Sequence, residues 1–336
     1  MAPSTASQCS AKSASGATFT WSASAGSITA AGVFTAPSTT GSVTITAANP
    51  SNAAQSGTET LTVQLKVPVS QHVVMVMEEN HDYSSVVGNT SGWPNLNQLI
   101  GQGALATNYY ANTHPSIGNY FMLTTGQVLT TNDDSTSVWN VDNIARRMLA
   151  GNVTFKVYAE GIHQGYLGGN TGNYVIRHNP FAMLSDVAGN TQVATQVIWP
   201  FSQFAADVAA NALPEFSFIV PAINDDAHSG TEEQADTWLQ DNVVKQLSGV
   251  PAFQSGGDGV LIVDFDESTD SDAANGGGHV AAVFWGPLAA SGYEQKSGNL
   301  YQHPSMLRTI MEVLSLADPP GAAASASDMA EFFVQK

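Results

Sequence analysis

The pattern of apolar and polar residues divides the chain into two regions. In residues 1–67, short segments alternate apolar with polar residues, and Gly, Pro and Asn separate them: ATFTWSAS, GSITAAGVFTAP, GSVTITAANP and GTETLTVQLK. Alternation with a period of two is typical of half-buried strands, and breaks at this spacing are typical of small antiparallel sandwiches. We therefore predict a small all-β sandwich domain. We favour a stabilising or spacer module over a carbohydrate- or partner-binding module.

Residues 68–336 show a different pattern, in which continuous apolar runs alternate with longer segments. The apolar runs predict buried strands at His72–Met77, Val153–Ala159, Phe216–Val220, Val260–Phe265 and Val280–Trp285. The longer segments predict helices at Trp93–Gly101, Ile117–Thr125, Asn143–Leu149 and Thr231–Leu247. Strands rich in Val and Ile that alternate with helices indicate an α/β sheet sandwiched by helices.

Composition narrows the classes of function. The chain has 28 acidic and 10 basic residues and a net charge of −18, so it repels polyanions unless a metal ion or a local basic pocket intervenes. We therefore do not expect it to bind nucleic acids or anionic membranes in general. No apolar run approaches the ~18 residues of a membrane-spanning helix. The single Cys9 excludes an internal disulfide and a cysteine zinc cluster. Sparse Lys, and a start of Met1-Ala2 before a Ser/Ala-rich run, indicate a secreted or periplasmic bacterial protein whose signal peptide has been removed.

Polar residues follow four of the predicted strands. They are Glu78, Glu79 and Asn80; Glu160 and His163; Asn224, Asp225, Asp226 and His228; and Asp266 and Glu267. In α/β sheets, functional residues gather beyond the carboxyl ends of the strands. Each cluster alone is also consistent with a solvated loop or a helix cap, but carboxylates brought together repel one another unless a cation lies between them. The four clusters together predict a site for a hard divalent metal ion.

His279 follows the polar, Gly-rich segment STDSDAANGGG, whose composition is unsuited to a crossover helix. Because a parallel connection needs a dozen or more residues, usually helical, the next strand is predicted to return antiparallel. This places His279 near the acidic end of the preceding strand. His279 is therefore a candidate metal ligand or phosphate-binding group, with a solvent-exposed loop histidine as the alternative.

The triplet His-Pro-Ser occurs twice, at 114–116 and at 303–305, each time before an apolar helical segment. A hydroxyl at a helix N-terminus is a good cap, and the free N–H groups there also hold phosphoryl groups. Metal coordination would make such a hydroxyl a nucleophile, and Asn119, one turn after Ser116, could reach a phosphoryl oxygen. Ser305 begins a plain amphipathic helix with no acidic strand end next to it in sequence. We predict that Ser116 is the nucleophile and that Ser305 is a helix cap.

These motifs resemble a known family. The segments HVVMVMEENHDYSSVVGN, THPSIGNYFMLTTG, YVIRHNPF, AINDDAHSGTEEQADTWL, LIVDFDES…GGGHVAAVFWGP and YQHPSMLRTIMEVL follow the order seen in the bacterial phosphoesterase family. That family contains acid phosphatases and phospholipase C-type enzymes of the alkaline phosphatase superfamily, and the resemblance covers roughly residues 70–336. In the first region, WSASAGSITAAGVFTAPSTTGSVTITA resembles the bacterial immunoglobulin-like modules attached to secreted enzymes.

The resemblance implies roles for individual residues. It implies that one metal ion is bound by Glu79, Asn80, Asp266 and Glu267 together with Ser116, which forms a phosphoserine intermediate. It also implies a pocket that binds phosphate or protonates the leaving group, lined by Asn119, His178, His228 and His279, with Asp226 beside it. The mostly oxygen ligand set favours Ca²⁺, Mg²⁺ or Mn²⁺, with Zn²⁺ as the alternative.

Two further residues are candidates for substrate binding. His114 lies two residues before Ser116, and Arg177 is the strongest basic feature near the predicted site, where it binds substrate phosphate or pairs with an acid. We expect a metal-dependent, acid-phosphatase-like phosphomonoesterase acting on a small phosphate ester. The alternatives are a phospholipase C or other phosphodiesterase with the same site, and a secreted surface-binding protein with an inactive α/β domain.

Overall fold

The structure, a computed structural model, describes residues 1–13, 16, 18–37 and 39–335. It contains two compact units, one formed by Met1–Pro68 with the C-terminal residues from Val334, the other by Val69–Phe333. Every helix of the described chain is too short or too polar to cross a bilayer.

The smaller unit consists of two three-stranded antiparallel sheets, with the strand orders β1-β4-β3 and β2-β5-β6. The strands are β1 (Ala6–Gln8), β2 (Thr20–Ala23), β3 (Ser27–Ile28), β4 (Val33–Thr35), β5 (Gly41–Asn49) and β6 (Asn52–Val63). The predicted alternation is visible in β5, where Val43, Ile45 and Ala47 point inward. Phe34 from β4 and Val63 from β6 join Val43 and Ile45 in one core. The polar strand β1 has no apolar alternation and was not predicted.

The larger unit is built on an eight-stranded sheet. The strands of this sheet are β7 (His72–Glu78), β8 (Ala104–Ala106), β10 (Phe155–Ala159), β11 (Ile198–Pro200), β12 (Phe216–Val220), β13 (Gly259–Phe265), β14 (Ala282–Trp285) and β15 (Tyr293–Glu294). Their order is β11-β10-β12-β7-β13-β14-β8-β15. The first five strands in this order are parallel, and β14 is antiparallel to both of its neighbours. A separate parallel pair is formed by β9 (Tyr109–Tyr110) and β16 (Tyr301–Gln302).

The helices of the larger unit form two packing groups. The α-helices are α1 (Tyr83–Val86), α2 (Pro94–Gln102), α3 (Ile117–Thr125), α4 (Ile144–Gly151), α5 (Ser185–Ala188), α6 (Thr191–Val197), α7 (Ser202–Ala209), α8 (Glu232–Leu239), α9 (Lys245–Leu247) and α10 (His303–Val313). In one group, α3 packs against α4 and α10, and α5 packs against α4 and α6. In the other group, α2 packs against α8, and α7 packs against α9. Short 3-10 helices cover Ile176–His178, Pro180–Met183, Pro251–Phe253, Ala274–Gly276, Gly321–Ala324 and Ala330–Phe332.

The predicted α/β architecture is confirmed, and each predicted strand and helix of this region exists with small shifts at its ends. The helix predicted over Thr231–Leu247 is interrupted by a π-helical segment, Gln240–Val244, between α8 and α9. The antiparallel return of the strand after His279 is confirmed by the pairing of β13 with β14.

The order of the sheet positions the candidate site. Strands β12, β7 and β13 are adjacent and parallel, so their carboxyl ends lie at the same edge. Asp226 follows β12, Glu79 follows β7, and Asp266 follows β13. Residues far apart in the sequence are thereby brought together.

Candidate active site

Ser116 lies at the N-terminus of α3, but its hydroxyl does not cap the helix. The hydroxyl contacts two carboxylates instead, with Oγ 3.0 Å from Glu79 Oε2 and 3.2 Å from Glu267 Oε1. The first helical N–H, that of Ile117, is accepted by Asp133 Oδ1 at 3.2 Å. Asp133 therefore accepts the first N–H of the helix, while the buried hydroxyl of Ser116 is left to face the acids.

Glu79 is fully buried between three polar side chains. Its Oε1 accepts a hydrogen bond from the Tyr120 hydroxyl and lies 3.2 Å from His178 Nε2, while its Oε2 faces Ser116. Burial, followed by the charges of Asp266 and Asp226, raises the pKa of the Glu79 carboxyl. Tyr120 was not predicted from the sequence, although its place one turn after Ser116 on the same helix face was a usable signal.

Asp266 and Glu267 form the opposite side of the group. Asp266 Oδ1 accepts the N–H of Asn80 at 3.3 Å, and Glu267 Oε1 accepts from Asn80 Nδ2 at 2.7 Å. Asn80 adopts a left-handed backbone with φ of 48°, which asparagine tolerates well, so the chain can turn directly after Glu79. Burial, then the charge of Asp133 among others, raises the pKa of Glu267 to about 8.

A second group surrounds His178. Its Nδ1 lies 3.0 Å from Asp226 Oδ2, while the other oxygen of Asp226 accepts the backbone N–H of His228 at 3.0 Å. Arg177 donates from Nη2 to His228 Nε2 at 3.1 Å, and its Nε lies 3.7 Å from Asp133 Oδ2. Of the two roles predicted for Arg177, the structure shows the pairing with an acid, which is Asp133. Burial is the main cause that lowers the pKa values of both histidines.

The residues present fit a divalent cation. Glu79, His178 and Asp226 are all buried, and one ligand atom of each lies within 4.8 Å of the others. On the other side of Glu79, two buried oxygens, Asp266 Oδ2 and Asn80 Oδ1, have no hydrogen-bond partner among the residues that the structure describes. A bound cation would offset the repulsion between the crowded carboxyl groups and would give the two oxygens a partner. His178 and Asp226 were predicted at the site, but not as metal ligands.

Two predicted residues make contacts that differ from their expected roles. Asn119 accepts the N–H groups of Asn112 and Thr113 at 2.9 and 3.2 Å, and its Nδ2 donates to the Thr113 carbonyl at 2.7 Å. Its amide therefore holds the loop before Ser116. The ring of His114 is held by Glu267, at 2.9 Å from Nδ1, and by the Asp272 carbonyl, at 3.0 Å from Nε2. Both ring nitrogens of His114 are occupied within the protein.

His279 lies beside the site but outside the group around Ser116. Its ring stacks on Tyr83 and Tyr110, with centroids 4.2 and 4.8 Å away, and its Nε2 is 3.1 Å from the Thr107 carbonyl. The antiparallel return brings the chain to the correct edge. Because β14 starts only at Ala282, the conformation of the preceding loop decides where this ring points.

The expectation that Ser305 is a helix cap is wrong. Helix α10 begins at His303, its N-cap position is Gln302, and Ser305 lies inside the first turn. The Ser305 carbonyl accepts a hydrogen bond from the Thr309 hydroxyl at 2.7 Å. Pro304 allows the helix to begin earlier, because proline is well tolerated in the first turn.

Comparison with known proteins gives consistent matches. Residues 91–317 match the phosphoesterase family. A phosphatidylinositol-3-phosphatase of Mycobacterium tuberculosis is 29% identical over 253 residues, 74% of this chain and 79% of that protein. A probable acid phosphatase of Kluyveromyces lactis is 29% identical over 248 residues, 70% of this chain and 56% of that protein.

A solved structure shows similarity of fold alone. A protein in the alkaline phosphatase superfamily from Vibrio parahaemolyticus superposes with a TM-score of 0.50 at 13% identity. The superposition covers 76% of this chain and 70% of that chain. The mixed α/β fold with a large central sheet is therefore shared with that superfamily.

Proposed function

This chain belongs to the phosphoesterase family, and from that premise we propose that it is a metal-dependent phosphomonoesterase of the acid phosphatase kind. It is a phosphoric ester hydrolase, as its family and its relatives indicate. The observation that carries the finer proposal is the buried Ser116 hydroxyl, 3.0 and 3.2 Å from two carboxylates at the ends of adjacent parallel strands. A carboxylate at hydrogen-bond distance can accept the proton of this hydroxyl and so make its Oγ a stronger nucleophile.

In the proposed reaction, Glu79 and Glu267 are ionised, as a bound cation would keep them, and one of the two accepts the proton of Ser116. The Ser116 Oγ bonds to phosphorus as the bond from phosphorus to the ester oxygen breaks. Water then hydrolyses the phosphoserine, which releases phosphate and restores Ser116. We assign protonation of the leaving group to the protonated form of His228, which requires Arg177 to release the Nε2 that accepts its hydrogen bond in the structure. Burial, then the charges of His178 and Arg177, lowers the pKa of His228, so its protonated form is confined to acid pH. This favours an acid phosphatase.

The cation would be held by Ser116 together with Glu79, Asn80, Asp266 and Glu267. Two residues next to Glu79, His178 and Asp226, could supply further ligand atoms. When bound, the cation supplies positive charge that lowers the pKa of the Ser116 hydroxyl and offsets charge on the phosphoryl group. The oxygen donors favour Ca²⁺, Mg²⁺ or Mn²⁺, whereas use of the His178 imidazole would favour Zn²⁺.

We extend the proposal to the rest of the chain. Val69–Phe333 is assigned as the catalytic domain, and the smaller unit as an immunoglobulin-like module with a stabilising or spacer role. We place the enzyme in the secreted or periplasmic fraction, on the basis of its sparse Lys and its Ser-, Thr- and Ala-rich composition. Cell fractionation of the native host tests this assignment, and recovery in the cytoplasm would contradict it.

The deciding experiment compares p-nitrophenyl phosphate, bis(p-nitrophenyl) phosphate and p-nitrophenylphosphorylcholine, each with and without a chelator. We expect the monoester to be hydrolysed fastest and the chelator to suppress turnover. Faster turnover of the diester or of the phosphorylcholine would favour the phosphodiesterase or phospholipase C alternative. If none of the three substrates is hydrolysed when a divalent cation is supplied, the result would favour the surface-binding alternative.

The nucleophile is tested by Ser116→Ala, with Ser305→Ala as the matched control because it lies in the other His-Pro-Ser triplet. We expect Ser116→Ala to lose nearly all activity and Ser305→Ala to keep it. Full activity of a folded Ser116→Ala variant, or equal losses in both variants, would reject the assignment of Ser116. Trapping of ³²P on the wild-type protein, but not on Ser116→Ala, would support the phosphoserine.

A further inference from the structure

The histidines of the two His-Pro-Ser triplets converge on one dipeptide, Asp266-Glu267. His114 Nδ1 lies 2.9 Å from Glu267 Oε2, and His303 Nε2 lies 2.7 Å from the backbone carbonyl oxygen of Asp266. We propose that His303 is a positioning residue that fixes the peptide between Asp266 and Glu267 and so aims both carboxylates at the site. This inference rests on the proposed function, since it assigns a role within the same site.

The direction of the hydrogen bond follows from its acceptor. A carbonyl oxygen only accepts, so His303 Nε2 must carry the hydrogen. The other side of the ring is fixed as well, because Nδ1 lies 2.9 Å from the Tyr109 hydroxyl and 3.4 Å from Asp264 Oδ2. Tyr109 in turn donates to Asp264 Oδ2 at 2.9 Å. The ring is fully buried and is anchored on both of its nitrogens.

A hydrogen bond to the Asp266 carbonyl fixes the directions of both carboxylates. This carbonyl belongs to the peptide that joins the two residues, so rotation of that peptide changes the direction of each side chain. The dipeptide also follows β13 directly, where the Asp266 N–H donates to the Glu78 carbonyl at 3.1 Å and so continues the sheet pairing by one bond. His303 supplies the next main-chain anchor along the chain.

The histidines of the two triplets therefore have the same role, which is to hold the Asp266-Glu267 dipeptide, whereas the two serines differ in role. His114 holds the Glu267 carboxylate from the loop before α3, and His303 holds the peptide from the start of α10. Ser116 contacts the same Glu267, whereas Ser305 lies inside the first turn of α10. The repeat in the sequence thus corresponds to two supports of one pair of acids.

The test uses four variants of the full chain. His303→Leu removes the donor at similar volume, and His303→Gln restores an N–H donor of similar reach. Tyr109→Phe leaves His303 in place but removes the hydroxyl that anchors its ring. Ser305→Ala is the control from the same helical turn. The readouts are Mn²⁺ binding by calorimetry, kcat and KM for p-nitrophenyl phosphate at saturating Mn²⁺, and the melting temperature.

We expect His303→Leu to weaken Mn²⁺ binding and to lower kcat, each by about 10- to 100-fold, with little change in KM. His303→Gln should recover much of both losses, Tyr109→Phe should show a smaller loss, and Ser305→Ala should behave as wild type. A purely structural role would lower the melting temperature without this selective effect on Mn²⁺ affinity and kcat.

A folded His303→Leu variant with wild-type Mn²⁺ affinity and kcat would overturn the inference while leaving the proposed function intact. If His303→Leu does not fold, Tyr109→Phe decides, and wild-type values in that variant would also overturn it. A wild-type protein that neither binds Mn²⁺ nor hydrolyses the monoester would reject both proposals together.

Discussion

Replacement of Glu267 by Gln should change how the stability of the cation-free protein depends on pH. Burial raises the pKa of Glu267 to about 8, against an ordinary value of 4.5 in the unfolded chain. Between these two values the native carboxyl holds a proton that the unfolded chain has released. Stability from this group therefore falls as pH rises, since the slope of the unfolding free energy follows the protons bound in the unfolded state minus those in the native state.

The magnitude follows from the same values. Each pH unit inside the window costs about 1.4 kcal/mol, and the slope flattens near the upper pKa. The loss for Glu267 between pH 5 and pH 8 is therefore about 3–4 kcal/mol, a large part of the ~5–15 kcal/mol that stabilises a typical domain. A glutamine cannot ionise, so this part of the slope disappears in the variant.

The assay is urea unfolding of chelator-treated wild type and Glu267→Gln at pH 5, 6.5 and 8. Glu233→Gln, at an exposed position in the first turn of α8, is the matched control. We expect the stability of Glu267→Gln relative to wild type to rise by about 3–4 kcal/mol across this range, while that of the control stays flat. Parallel curves for wild type and Glu267→Gln would refute the reasoning that this carboxyl is protonated in the cation-free native state.

Two further predictions concern residues around the acids. A Cβ at Gly277 would lie 2.4 Å from the Thr113 carbonyl oxygen, so Gly277→Ala should displace the loop before the nucleophile and cost about 1–3 kcal/mol, measured by urea unfolding. Gly298→Ala, where a Cβ meets nothing within 4 Å, is its control, and equal stability of the two variants would contradict the clash. Tyr120→Phe removes a donor from a buried carboxylate and should cost about 1–3 kcal/mol at pH 8 with chelator present. Unchanged unfolding of Tyr120→Phe would show that this hydrogen bond contributes nothing to stability.

The central sheet and the convergence of acids could be predicted because each depends on a regular property of the chain. Continuous apolar runs predicted β7, β12 and β13, and the rule for carboxyl ends of parallel strands then placed Glu79 and Asp266 at one edge. Neither step needed knowledge of a side-chain direction. The short strands β8, β11 and β15 were not predicted, since two or three residues carry too little periodicity.

The contacts within the site could not be predicted in the same way, because loops and side-chain rotamers determine them. The capping bond of α3 comes from Asp133, far beyond the end of the helix. The Asn119 amide is used by the backbone just before the helix, and the His279 ring is captured by two tyrosines. In each case the residue type allowed several partners, and only the path of a loop selected one.

The sheet order that brings the acids together also sets when the site can exist during folding. The central strand β7 lies near the start of the larger unit, while its two neighbours, β12 and β13, lie far along the chain. Such non-local pairings form late, because the loops between them must close first. The pairing of β7 with β13 buries Glu79, Asp266 and Glu267 together, so these carboxyls must take up protons or bind a cation as the strands come together. The proposed cation would in this sense be a folding ligand, and chain refolded without it, at a pH where these carboxyls are ionised in the unfolded chain, should pair the strands more slowly.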